Sequence, residues 1–299
     1  MNSKLFSHLF CGEISLPQNA KNVGIEVETH FIDGNGRPIQ LNQSQSIFYD
    51  CSNNGWEIIE KRNNLIVVLK RIKCGTLLMY ELGRQNLEIC LPSLAPTLAL
   101  ELVHEVLNEL YKIAMNFNCF PLFEPIIQSN ENLLVIPDER DTTWLKLDTA
   151  PILNELSKTA SVQFTIDVSG SHIIETINKL NANLTYFLAD YPQDKYWREY
   201  IKNSPAGYLP ERYGGPIFFK NEKEYCQQLA KHKIVTSDGL VDVSTLKEID
   251  YNSFIRSVWW YFRLKRYGSN QCIEIRPLAR RTDDLIDVYW KNVSNIIYS

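Results

Sequence analysis

The chain has 299 residues, enough for one large domain or two small ones and for a sizeable buried core. Hydrophobic residues make up 44% and charged residues 22%, a globular composition that excludes a fibrous or low-complexity chain. Lysine and arginine number 31 against 35 acids, a formal net charge of −4, so bulk charge supports neither a nucleic-acid partner nor an acidic membrane surface.

Asn22 to Ile32 reads as a strand, followed by a strong turn signal at Asp33-Gly34-Asn35-Gly36. Gly55 to Glu60 and Asn64 to Ile72 read as two more strands, separated by Lys61-Arg62-Asn63-Asn64. Cys74-Gly75 marks a turn, then Thr76 to Tyr80 and Leu87 to Leu91 read as strands. Pro96 suits a first helical turn, and Leu98, Leu102, Val106, Leu110, Ile113 and Phe117 follow at helical spacing. Ser161 to Val168 alternates cleanly, with Val162, Phe164, Ile166 and Val168 on one face and Ser161, Gln163, Thr165 and Asp167 on the other. Helices are expected over Ser171 to Leu188, Glu222 to His232 and Ser244 to Trp260, a strand over Cys272 to Pro277, and a last helix with Thr282 as its N-cap.

No repeat, low-complexity tract or linker divides the chain, so a single catalytic domain over 1–299 is expected. Strands joined by short turns favour antiparallel pairing. The fold class predicted is α+β: one curved, mainly antiparallel sheet with helices on its outer side. Seven cysteines, odd in number and without CxxC spacing, read as thiols of a reduced intracellular protein. Met1 to Pro17 has no apolar run of signal-peptide length, and no stretch approaches the ~18–20 apolar residues of a membrane span. A cytoplasmic location is expected.

Three distant segments place carboxylates on strand faces. In Val23 to Glu28 the apolar Val23, Ile25 and Val27 leave Glu26 and Glu28 together on the opposite face, with His30 beyond them. Glu81 and Glu88, seven apart, meet only if Gly83 marks a bulge or bend. Arg84 and Gln85 between them add donors for a substrate carboxylate or phosphate. Ile273 and Ile275 leave Glu274 and Arg276 on one face. Taken singly, each has a plainer reading: acids facing water, a surface ion pair, and a sheet-bridging amide at Gln163. Taken together, like charges on one face repel unless something offsets them, and Mg²⁺ is commonly held by carboxylates together with substrate phosphates. A nucleotide-using enzyme is the leading reading. The five histidines form no HxxxH pair, and the GxxxxGK[ST], GxGxxG and GxSxG fingerprints are absent.

Read jointly, these segments resemble the glutamate–cysteine ligase family, carboxylate–amine ligases related to glutamine synthetase. Gly24-Ile25-Glu26-Val27-Glu28 matches the family's GxExE strand, and Glu81 to Glu88 resembles its acid-x₆-E segment ahead of a long helix. Thr159 to Ser169 resembles its T-x-[ST]-V-Q-x-N-x-D-x-S strand, and Ile273 to Leu278 its [IL]-E-[VI]-R-S-[LI] end. Thr165 stands where the family often has Asn, and Ala279 where it has Asp. The resemblance implies a glutamine synthetase/guanido kinase-like funnel or half-barrel. It implies that Glu26, Glu28, Glu81, Glu88 and Glu274 hold Mg²⁺, or Mn²⁺, with ATP. It places Gln163 beside the metals and Arg276 on the transferred phosphoryl group. Arg212, in Gly207 to Arg212, with Arg263 and Lys265, joins Arg84 and Gln85 as ATP- or substrate-binding. The partners implied are small-molecule amino acids and amines, with no nucleic acid and no membrane, and a homodimer as an assembly. The activity implied is an ATP-dependent amide-forming ligase with glutamate as donor. The alternatives are an inactive nucleotide- or amino-acid-binding regulator on the same scaffold and an ATP-dependent small-molecule kinase.

Overall fold

The computed structural model describes residues 3–11, 22–135, 139–168, 170–245, 251–267 and 270–298. Its strands are β1 (Val23–Asp33), β2 (Trp56–Arg62), β3 (Leu65–Arg71), β4 (Leu77–Tyr80), β5 (Asn86–Cys90), β6 (Cys119–Leu122), β7 (Ser161–Asp167), β8 (Tyr213–Gly214), β9 (Lys233–Thr236), β10 (Gly239–Asp242), β11 (Trp259–Trp260), β12 (Phe262–Tyr267) and β13 (Asn270–Ala279). Nine of them form one open antiparallel sheet in the order β12-β13-β7-β1-β5-β4-β3-β2, with β6 also pairing β1. The fold is therefore α+β with an antiparallel sheet, and among the described residues the edge strands β12 and β2 do not pair with each other.

β1 is the central strand because its alternation satisfies both faces. Val23, Ile25 and Val27 are fully buried in the main core. The helix Pro96–Met115 packs against β1 and against the helix Leu41–Asn53, burying Val103, Val106, Leu107 and Leu110. That leaves Glu26, Glu28 and His30 on the other face, where the helices Glu139–Asp148, Ala150–Leu156 and Gln193–Asn203 form a second layer. A cavity opens between the layers.

Several expected elements differ in detail. The helix predicted over Ser171 to Leu188 is two, Ile173–Ala182 and Leu184–Ala189, broken at Asn183, whose side-chain amide donates to the Lys179 carbonyl. The helix predicted over Ser244 to Trp260 is confined, among the described residues, to Tyr251–Arg256; residues 246–250 lie outside them. Trp259–Trp260 instead pairs in parallel with Tyr213–Gly214, a long-range partner that local propensity does not reveal. The helix Leu41–Asn53 went unpredicted because it buries Ser44 and Gln45 beside Ile47 and Phe48, which blurs its apolar stripe. The last helix starts at Asp284, so its cap position falls on Asp283, one residue after Thr282.

Candidate active site

Register assembles the acids. β1 pairs β5 with Glu28 opposite Glu88 and Glu26 opposite Cys90. On its other edge β1 pairs β7 with Glu26 opposite Gln163. β4 pairs β5 with Met79 opposite Glu88, so Glu81, two residues on, reaches the same face. Glu81 and Glu88 thus meet across a hairpin, not across a bend within one strand. Its turn is closed by the Glu81 amide on the Asn86 carbonyl (3.1 Å) and the Asn86 amide on the Gly83 carbonyl (3.0 Å). Gly83 is required by close approach, since a Cβ there would stand 2.4 Å from Gln85 Oε1.

Glu28 and Glu88 are each only 7% exposed. Glu28 accepts from the Ser161 amide (2.7 Å) and from Gln163 Nε2 (2.9 Å). Burial, and then the charge of Glu81, nevertheless push its carboxyl up to about 8. Burial also raises Glu26, and it raises Glu88 well above the carboxylate range with help from Glu81, Glu26 and Glu28. Cys90 donates its thiol hydrogen to Glu88 at 3.0 Å. One ligand atom each from Glu26, Glu88 and Cys90 lies within 4.8 Å of the others. Crowded, desolvated carboxylates with raised pKa values suit a hard divalent cation, which supplies the missing positive charge and accepts oxygen ligands. The carboxylate oxygens of Glu26 and Glu88 fit such an ion, while the Cys90 thiol, kept protonated by burial, stays a hydrogen-bond donor to Glu88.

Beside the acids stands a cationic cluster. A register shift between β13 and β7 after Ile275 inserts one extra residue, so Arg276 and Pro277 together face Gln163. Proline is tolerated there because a bulge needs no ladder donor. Arg276 donates from Nη1 to Gln163 Oε1 (2.9 Å) and to Glu274 Oε2 (3.3 Å). Arg263 meets Glu274 Oε2 at 2.6 and 2.7 Å, and Lys265 pairs with Glu274 Oε1. Burial alone would raise Glu274, but Arg263, Lys265 and Arg276 outweigh it and hold the carboxyl well below its usual range. Both Glu274 oxygens are therefore taken by cations.

The cavity between the layers has a volume of about 540 Å³. Glu28, Glu81, Ser161 and Arg276 line one side; Trp144, Trp197, Tyr200 and Trp259 line the other. Arg84, Gln85 and Arg212 are not among its lining residues. Arg84 binds the Ile39 carbonyl (3.0 Å), the Asn132 carbonyl and the Glu131 carboxylate. Gln85 donates to the Ser157 carbonyl (2.7 Å), and the fully buried His30 meets the Lys158 carbonyl (3.0 Å), so both brace that turn. Burial lowers His30 to about 3, leaving a neutral ring. Arg212 is fully buried, donates to the Lys233 carbonyl (2.7 Å) and lies over the rings of Trp259 and Tyr208.

Four features were not predicted: Cys90, the Ser161 amide, Tyr191, which also lines the cavity, and the tryptophan wall. Alternation from Glu88 would have flagged Cys90. The aromatic residues come from separate segments with no shared period, so only the packing reveals them.

No family model and no curated protein matches the sequence. The chain does resemble solved structures. A bifunctional glutathione synthetase from Pasteurella multocida superposes with a TM-score of 0.53 at 10% identity, over 99% of this chain and 40% of that one. A glutamate–cysteine ligase from Francisella tularensis, in complex with AMP, superposes with a TM-score of 0.52 at 10% identity, over 94% of this chain and 67% of that one. This chain thus spans about 40% of the length of the bifunctional synthetase. At this identity the likeness is one of fold.

Proposed function

We propose that the chain is an ATP-dependent carboxylate–amine ligase. It activates a carboxylate, with the γ-carboxylate of glutamate as first choice, and couples it to an amine as an amide. The observation that carries this reading is the convergence of Glu26, Glu28, Glu81 and Glu88 on one face of the sheet, with Glu28, Glu81 and Arg276 lining the cavity beside it. The fold likeness to two ligases supports it. The same reading takes the open sheet as a funnel or half-barrel of the glutamine synthetase and guanido kinase kind. It also takes the protein as a cytoplasmic enzyme of small-molecule substrates.

A carboxylate acylates poorly because oxide would have to leave. Transfer of the γ-phosphoryl group of ATP to a carboxylate oxygen forms one P–O bond, breaks another and releases ADP. The amine nitrogen then attacks the carbonyl carbon of the acyl phosphate, phosphate departs, and the nitrogen loses a proton. Glu26, Glu28, Glu81 and Glu88 would hold Mg²⁺ or Mn²⁺. Bound ions of this kind screen phosphate charge and align in-line attack. Arg276 faces the cavity with a planar fork suited to a phosphoryl group in flight. Gln163 orients both Glu28 and Arg276 by donating to one and accepting from the other. Glu274 and Arg263 preset Arg276; Glu274 joins the ion ligands only if Lys265 turns from it towards the triphosphate. Arg84, Gln85 and Arg212 support the surrounding loops.

The test pairs activity with structure. Glu26→Gln and Glu88→Gln should each abolish Mg²⁺-dependent ADP formation while circular dichroism shows the fold intact. Undiminished turnover in both variants refutes the metal assignment. ADP release that requires no amine points to the kinase alternative.

A further inference from the structure

We infer that the amine accepted in this cavity carries an aromatic group, an inference that rests on the ligase reading. Trp144, Trp197 and Trp259 all line the cavity and all remain only partly buried. They form one wall of tilted rings: Trp144 and Trp259 have centroids 5.0 Å apart at 48°, Trp197 and Trp259 5.2 Å at 44°, and Tyr200 and Trp259 5.6 Å at 80°. Packing fixes the rings against each other and leaves aromatic surface turned to the cavity. Apolar surface in contact with water is unfavourable, and rings pair well with another ring, offset or edge-on. A small acceptor such as cysteine would leave the wall wet.

Charge orients the occupant. Glu81 lines the opposite side and attracts an ammonium group, whereas the aromatic wall offers rings. Glu26, Glu88, Glu274 and the cations Arg263 and Lys265 do not line this cavity, which on the ligase reading leaves the triphosphate to the β12–β13 side of the acids. The wall therefore falls to the acceptor. Exposed Arg256, which also lines the cavity, decides between two sources of this chemistry: an arylalkylamine, or an aromatic amino acid whose carboxylate it would meet.

Calorimetry on the full chain with phenethylamine, tyramine, tyrosine, ethylamine and cysteine tests this directly. The ring-bearing amines should bind at least tenfold more tightly than ethylamine or cysteine. Tyrosine above tyramine assigns the amino acid, and the reverse assigns the simple amine. Trp144→Ala should remove the aromatic preference while leaving ethylamine binding and the KM for ATP unchanged. Equal binding of phenethylamine and ethylamine by the wild-type chain overturns the inference, whatever the variant does. A raised KM for ATP in Trp144→Ala with the amine preference intact also overturns it, because the aromatic wall would then serve adenine. Tight, Trp144-dependent binding of aromatic amines without ADP release under any donor pairing supports the cavity assignment and refutes the ligase reading alone.

Discussion

Glu28 accepts two hydrogen bonds, yet its carboxyl is pushed up to about 8 by burial and by Glu81. The metal-free fold therefore holds a proton that the unfolded chain, at its ordinary 4.5, releases. The stability this contributes is complete below 4.5 and is lost as pH rises through about 8. His30 and His232 work the other way: both are lowered to about 3 by burial, so protonation of the unfolded chain below 6.5 weakens the fold. The Tm difference between Glu28→Gln and wild type isolates the first effect. It should move in favour of Glu28→Gln as pH rises from 4.5 to about 8, and a difference independent of pH would contradict the raised carboxyl. Arg276 makes the complementary case. An ammonium cannot span Gln163, Glu274 and a phosphoryl group as a planar fork does. Arg276→Lys is expected to lower kcat by about 100-fold, the scale of losing one transition-state donor. Steady-state ADP release measures it, and an unchanged kcat would remove Arg276 from the chemistry.

At the level of elements, the β4–β5 hairpin decides whether Glu81 and Glu88 meet. Gly83 packs against the Gln85 side chain, which is tied to the Ser157 carbonyl at 2.7 Å and cannot swing away freely. Gly83→Ala should cost about 1–3 kcal/mol by overpacking. Denaturant unfolding gives the number, and titration with Mn²⁺ should show weaker binding as Glu81 shifts. Wild-type stability in this variant would mean that the turn yields without strain. The bulge at Arg276-Pro277 has a parallel role, since it turns one side chain over Gln163 without disturbing the paired strand on either side.

For the whole molecule, the site crowds buried acids whose ionised form, on the ligase reading, a bound cation would stabilise. Mg²⁺ with ATP should raise Tm, by the equivalent of ~2.7 kcal/mol at a hundredfold excess over Kd. The shift should vanish with EDTA and in Glu26→Gln. A thermal scan with nucleotide alone, metal alone and both separates the contributions; equal shifts from ATP with and without metal would argue that the acids serve something other than an ion. All seven cysteines are free thiols, so reductant is expected to leave the melting curve unchanged. Among the described residues no helix is long and apolar enough to cross a membrane.

The sequence by itself determined the faces of the strands. Alternation over Val23 to Glu28, Ser161 to Val168 and Ile273 to Arg276 placed each acid and amide on the correct side, because side-chain direction in a strand is a local property. Only the tertiary structure decided which faces adjoin. Strand order and register put Glu28 opposite Glu88, Gln163 opposite Glu26, and Arg263 opposite Glu274. The same packing surrounded Glu274 with cations, turned Arg84, Gln85 and Arg212 to loop anchoring, and gathered tryptophans from three segments into one wall. Those outcomes depend on contacts between residues far apart along the chain, and no local period encodes them.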